Sequence, residues 1–285
     1  MDTEPPVRDE TVILDGLRFH YRDWGDPDAP PVVLLHAYLQ HARTWDTVAR
    51  GLADRFRVLA LDQRGFGESE HAADYHELRF VGDLASFADT LGLDRFSVVG
   101  FSIGGSHACS YALLYPDRIA QLVLFECFTA GDEHEQGDAP WIASMRTHMS
   151  RLRALPAVPT ESVAAFRSLA PYADEEELRR WVGDGLVQGP DGRWAWRFDP
   201  AFLVPGPPGR LKPPEAVLWG RFARLTGPTL LLVGAESWMV EPTARVAALN
   251  SRARIATVPR AGHWVPLDNP GGFLAAVRGF LSDEA

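Results

Sequence analysis

Lysine is almost missing from this 285-residue chain: Lys212 is the single one among 28 basic residues, so positive charge is carried by arginine. Positive charge is also outnumbered, because 38 acidic residues bring the net to −10, a field that repels phosphate backbones and sets nucleic acid aside as a partner. Cysteine is scarce too. Cys109 and Cys127 are the two present, both inside apolar stretches rather than at metal-ligand or scaffold spacing, so they are expected as buried thiols. No apolar run approaches the roughly 18 residues that span a bilayer, and the acidic, proline-bearing start Met1 to Glu10 has no signal-peptide pattern. A cytoplasmic protein with no membrane partner is the expectation. What the chain does have is 46% hydrophobic and 23% charged residues, enough apolar surface for a large core. Against roughly 150 residues per domain, its length fits one large α/β domain or a core carrying an insertion.

Hydrophobic patterning divides the chain. Apolar and β-branched runs, Thr11 to Leu14 and Leu17 to Tyr21, flank Asp15-Gly16, a two-residue hairpin signal. Short buried runs then alternate with amphipathic segments: Val32 to Leu35, Arg43 to Leu52, Phe56 to Leu61, Glu77 to Leu91, Phe96 to Val99, Ile103 to Tyr115 and Ile119 to Phe125. Such alternation predicts right-handed βαβ units and a mostly parallel sheet flanked by helices. It stops after Phe128. From Thr129 to Leu225 helical patterns occur without a convincing buried strand, among them Asp174 and Glu177 as a capping box before Leu178, Trp181 and Val182. The pattern resumes at Thr229 to Val233 and closes on the helix Gly272 to Leu281. Residues 1–128 and 226–285 are therefore expected as an α/β core, and 129–225 as an inserted helical cap.

The strongest chemical signal is Gly100-Phe101-Ser102-Ile103-Gly104-Gly105, directly after one buried run and directly before a helical pattern. A serine there sits on a strained strand-to-helix turn, where side chains at Gly100 or Gly104 would collide with the backbone. The helix N-terminus then offers free N–H groups to charge developing beside Ser102. A serine hydroxyl needs a base. Of nine histidines, His263 in Ala261-Gly262-His263-Trp264 follows the last predicted strand and precedes the final helix, which puts it at the carboxyl edge of the sheet.

With these residues the chain resembles the α/β-hydrolase superfamily over nearly its whole length. His36-Ala37-Tyr38 is similar to the family's His-Gly-x oxyanion loop, with Ala37 in place of the usual glycine, and Asp62 to Ser69 matches its Asp-x-Arg-Gly-x-Gly-x-Ser turn. Gly262-His263 ahead of Pro266 resembles its histidine loop, and the insertion falls where its caps occur. The resemblance implies an oxyanion hole made by the backbone N–H groups of Tyr38 and Ile103. It also implies an acid. Most members carry an aspartate in a Gly-x-x-Asp pattern after the next core strand, where this chain reads Gly234-Ala235-Glu236-Ser237. Glu126 instead ends the preceding strand, a placement that resembles fungal zearalenone lactonases, some haloalkane dehalogenases and cofactor-free quinolone dioxygenases. Glu126 and Glu236 both stand as candidates, with Glu126 preferred.

Other residues carry blander expectations. His36 is read as bracing its loop through backbone hydrogen bonds, Asp62 and Arg64 as a local ion pair fixing a turn, and His41, His107 and His134 as structural or surface residues. No metal-ligand spacing appears, Gly65-x-Gly67 lacks the rest of a dinucleotide loop, and no cofactor is expected. The insertion is rich in large apolar groups, with Trp141, Met145 and Trp181 as candidate substrate-pocket residues among Met149, Phe166, Trp194, Trp196 and Trp219. They either pack the cap on the core or favour a hydrophobic or aromatic substrate. The reading is a capped serine hydrolase cleaving an ester, lactone or thioester through Ser102, His263 and Glu126. The alternatives are a cofactor-independent dioxygenase or carbon–carbon bond hydrolase using the His263/Glu126 dyad, and a binding protein that kept the fold. Because Ser102 stands where dehalogenases and epoxide hydrolases carry an aspartate nucleophile, those chemistries are disfavoured.

Overall fold

Asp15 and Gly16 both adopt positive φ (47° and 85°), as a two-residue hairpin turn requires, and they join β1 (Val7–Leu14) to β2 (Leu17–Trp24) with Leu14 opposite Leu17. The computed structural model describes residues 6–128, 163–164, 166–167, 169–203 and 213–283. After the hairpin come β3 (Pro31–Leu35), α1 (Asp46–Leu52), β4 (Arg57–Leu61), α2 (Glu77–Thr90), β5 (Phe96–Phe101), α3 (Ile103–Leu114) and β6 (Ile119–Phe125). The segment that follows contributes α4 (Glu175–Asp184), β7 (Leu186–Gln188), β8 (Trp194–Trp196) and α5 (Glu215–Ala223). The chain then returns to the sheet through β9 (Thr229–Gly234), α6 (Val240–Ala247), β10 (Ala253–Val258), α7 (Val265–Asp268) and α8 (Pro270–Ser282).

The eight-stranded sheet has the order β1-β2-β4-β3-β5-β6-β9-β10. β2 pairs antiparallel with β1 and β4, and every other pairing is parallel. Its central strands read as continuous apolar runs because both faces are covered. Val32, Leu34, Val99, Phe101, Val123 and Phe125 face one core with α1 and α8. Their neighbours Val33, Leu35, Val98, Leu122 and Leu124 face the other, beneath α2, α3, α5 and α6. Each such side chain, fully buried, contributes roughly 1.5–3 kcal/mol. Cys109 and Cys127 are both buried thiols, as expected.

Between β6 and β9 the structure departs from the all-helical expectation. β7 and β8 pair as a small antiparallel hairpin around Gly192, whose φ is 78°. Each strand is three residues long, and the pair is mostly exposed. Strands so short, with Leu186 the one buried residue among them, leave no alternation for a sequence reading to detect. Among the described residues no helix is long and apolar enough to cross a membrane.

Candidate active site

Ser102 lies between β5 and α3 with φ 50° and ψ −114°, a backbone conformation that costs a non-glycine residue on the order of 1–3 kcal/mol. Its surroundings hold it there. The Ser102 N–H donates to Phe125 O at 3.0 Å, tying the turn to the end of β6. A Cβ on Gly100 would stand 2.7 Å from Gly104 O, and one on Gly104 would stand 2.5 Å from Leu35 O, so glycine is needed at both. The Ser102 side chain makes no helix cap. Ile103 opens α3, placing its N–H among the first-turn donors that have no partner within the helix.

Glu126 directly follows the last residue of β6, at φ 53° and 1% exposed. Three donors converge on its carboxylate. The Gly234 N–H reaches Oε1 at 2.8 Å, while the Ser237 hydroxyl at 2.6 Å and His263 Nδ1 at 2.9 Å share Oε2. A carboxylate is acceptor-only when ionised and can take all three. Donation from Nδ1 leaves His263 Nε2 as the basic nitrogen of the ring. The imidazole lies between Phe101 (ring centroids 5.1 Å apart) and Trp238, which stacks on it at 4.8 Å. Its loop is pinned by Asp268, which accepts from Gly262 N–H at 2.8 Å, and Gly234 leaves room for the Ala261 and Gly262 carbonyls to press on the end of β9.

Glu236, the other candidate acid, turns elsewhere: its carboxylate accepts from the exposed Tyr172 hydroxyl, while its N–H holds Ala261 O at 3.0 Å. The structure thus brings Glu126 and His263 together and gives Glu236 a different partner. Ser237 was missed as a functional residue. The signal was there, since serine occupies the position of the family's usual acid, and here its hydroxyl holds Glu126.

Tyr38 follows His36 and Ala37 at the end of β3, and its hydroxyl donates to Phe202 O at 2.5 Å, attaching this loop to the segment after β8. His36 braces the loop as expected: Nδ1–H donates to Ala37 O at 2.8 Å and Nε2 accepts from Gln63 N–H at 3.0 Å. Burial pushes its pKa below the ordinary value, which keeps the ring neutral for both bonds. Alanine is tolerated at Ala37 because the left-handed residue of the loop is Leu39, with φ 62°.

The expected Asp62–Arg64 ion pair does not form. Arg64 grips Asp83 with Nε at 2.6 Å and Nη2 at 2.5 Å. Asp62 instead accepts from His20 Nδ1 at 2.7 Å, Ala42 N–H at 2.5 Å and Glu68 N–H at 2.9 Å. Burial pushes the Asp62 carboxyl up, yet the His20 hydrogen bond and charge outweigh it and hold it below its ordinary value. Residues two apart in a turn point apart, so each finds a partner on another element.

Trp181 is buried on α4 and lines a narrow cleft with Gln40, Thr44, Trp45, Phe101, Trp264 and Leu267. Phe101 precedes Ser102 and Trp264 follows His263, so the cleft borders the site. Trp181 also packs on Trp264 at 4.4 Å and Phe166 at 5.1 Å. Trp194 is instead exposed on the hairpin, and Arg245 covers Trp219. Trp141 and Met145, the other expected pocket residues, lie outside the described residues, as does His134. Among the described residues no group of three or more His, Cys, Asp or Glu is placed to hold a metal.

A profile of the alpha/beta hydrolase fold family matches residues 30–270. The chain is 30% identical over 264 residues to the sn-1-specific diacylglycerol lipase ABHD11 of Mus musculus, covering 90% of this chain and 83% of that protein. It is likewise 30% identical over 265 residues to an esterase of Mycobacterium tuberculosis, covering 90% and 84%. Among solved structures, an E-2-(acetamidomethylene)succinate hydrolase superposes with a TM-score of 0.82, covering 97% of this chain and 99% of that one. At 21% identity, that last likeness concerns the fold alone.

Proposed function

The chain belongs to the alpha/beta hydrolase fold family, and from that premise we propose that it is a capped serine hydrolase cleaving an ester, lactone or thioester of a hydrophobic or aromatic small molecule. Residues 129–225 serve as the cap. Ser102 attacks the carbonyl, His263 Nε2 takes the serine proton and returns it to the leaving group, and Glu126 holds the imidazole in the productive tautomer. Backbone N–H groups of Tyr38 and Ile103 receive the oxyanion. The observation carrying this reading is the 2.9 Å bond from His263 Nδ1 to Glu126, which leaves Nε2 as the base in a site whose serine sits on a strand-to-helix elbow. The lipase and esterase relatives support cleavage of an ester bond. A fluorophosphonate probe tests the assignment: it should label Ser102 in the native protein and fail to label Ser102→Ala. A folded native protein that resists the probe would move the reading to a binding protein.

One observation favours a second reading. The His263/Glu126 pair is complete without serine and is flanked by the aromatic faces of Trp238 and Phe101. Such a dyad could deprotonate an activated ring for cofactor-independent oxygenation or carbon–carbon cleavage, with Ser102 only positioning the substrate. Oxygen consumption that survives Ser102→Ala but not His263→Ala identifies oxygenation.

The aromatic cleft bears on specificity. Trp181→Ala should change the ranking of bulky against small acyl esters, because one lost apolar contact shifts discrimination by about 1–3 kcal/mol. Competition assays read this directly. An unchanged ranking would leave Trp181 as packing between α4 and the core.

A further inference from the structure

We propose that Gln63 is a positioning residue that sets the spacing of the two oxyanion donors, Tyr38 N–H and Ile103 N–H, by tying the loop that carries one to the helix that carries the other. The inference rests on the hydrolase reading, since without acyl transfer there is no oxyanion to hold. Tyr38 and Ile103 belong to separate elements. Transition-state stabilisation depends on donors already in place, within about 0.5 Å of the productive geometry.

Gln63 spans the gap. Its backbone N–H donates to His36 Nε2 at 3.0 Å and its Nε2 donates to His36 O at 2.8 Å, gripping the residue two before Tyr38 by ring and carbonyl. On the other side Oε1 accepts from His107 Nδ1 at 2.7 Å. His107 lies four residues after Ile103 on α3, hence on the same side of the helix. Phe80 stacks on its ring at 4.3 Å and holds the ring plane. The close approach of Gly104 to Leu35 O and His36 O brings the same two elements into contact at the next position.

The polarity of the chain is determined throughout. The His36 carbonyl only accepts, so the Gln63 amide must present NH₂ to it and oxygen to His107, whose Nδ1 must therefore carry a proton. His36 Nε2 accepts from Gln63, so its proton sits on Nδ1, which donates to Ala37 O at 2.8 Å. His36, Gln63 and His107 are at most 4% exposed, leaving little water to replace a lost bond. Gln63 acts through His36 and His107 rather than on the substrate.

Gln63→Met keeps the length of the side chain and removes its amide. In an ester assay kcat should fall about 10- to 100-fold, short of the loss of a whole oxyanion donor, with KM changed less than about threefold. Affinity for a boronic acid, which forms a tetrahedral adduct on the serine, should weaken by a similar factor. A merely structural role would not move these together while circular dichroism and thermal midpoint stay near native. His107→Leu should behave like Gln63→Met, and His107→Asn, whose amide nitrogen takes the place of Nδ1 and can donate to Gln63, should recover most of the loss. If Gln63→Met does not fold, the contrast between the His107 variants decides. Full kcat in Gln63→Met, boronate affinity untouched by a lowered kcat, or equal defects in both His107 variants would overturn the proposal while the hydrolase reading stands. A native protein with neither ester turnover nor Ser102 labelling would remove that reading, and this inference with it.

Discussion

Glu126→Gln should lower ester turnover by about four orders of magnitude, whereas Glu236→Gln should lose less than about tenfold. The reason lies in the donor count. Gly234 N–H, the Ser237 hydroxyl and His263 Nδ1 all present protons to Glu126, with the last two sharing Oε2. An amide has one accepting oxygen and two protons of its own, so at least one of these donors must face NH₂. If that donor is His263, the ring resolves the clash by moving its proton to Nε2, where it can no longer accept the serine proton. The imidazolium formed during the reaction also loses its counter-charge. A buried donor left unpaired costs about 1–3 kcal/mol of stability as well, so the kinetics are read on protein whose circular dichroism is native. Glu236 bonds the exposed Tyr172 hydroxyl, and its removal leaves the His263 ring undisturbed. Near-native turnover in Glu126→Gln together with an inactive Glu236→Gln would return the acid to the loop after β9.

Ser102→Ala and His263→Ala should each cost about three or more orders of magnitude in kcat, and the double variant should be little worse than either single one. A nucleophile and its base act as a unit, since neither the unactivated hydroxyl nor the lone imidazole completes the step. Stopped-time assays on a small aromatic ester check this. Additive losses would show two groups working independently and would favour the reading in which Ser102 merely positions substrate. Ser102→Ala should also leave stability unchanged or raised, because the φ of 50° is a property of the elbow and the small side chain forms no helix cap.

Much of this site is legible along the chain because its chemistry is tied to local sequence. Glycines at 100 and 104 are demanded by contacts that a Cβ would make with Gly104 O and Leu35 O, so an elbow leaves a short-range trace around Ser102. The central strands are buried on both faces and therefore appear as uninterrupted apolar runs. β7 and β8 had no such trace, being three-residue strands with largely exposed side chains. Partner choice was less legible than placement. Arg64 near Asp62 suggested a pair, yet the turn directs Arg64 to Asp83 and Asp62 to His20.

The sequence by itself determined the α/β alternation, the serine at the elbow and the histidine after the final strand, because each depends on residues near one another in the chain, while resemblance to the family supplied the two candidate acids. Tertiary structure alone decided that Glu126 meets His263, 137 positions away, that Ser237 supports the carboxylate from the place of the usual acid, and that Gln63 joins His36 to His107. Those contacts arise from the lateral order of strands, which sets β6 beside both β5 and β9. Apolar periodicity says which residues are buried; only the packed sheet says which strand ends converge.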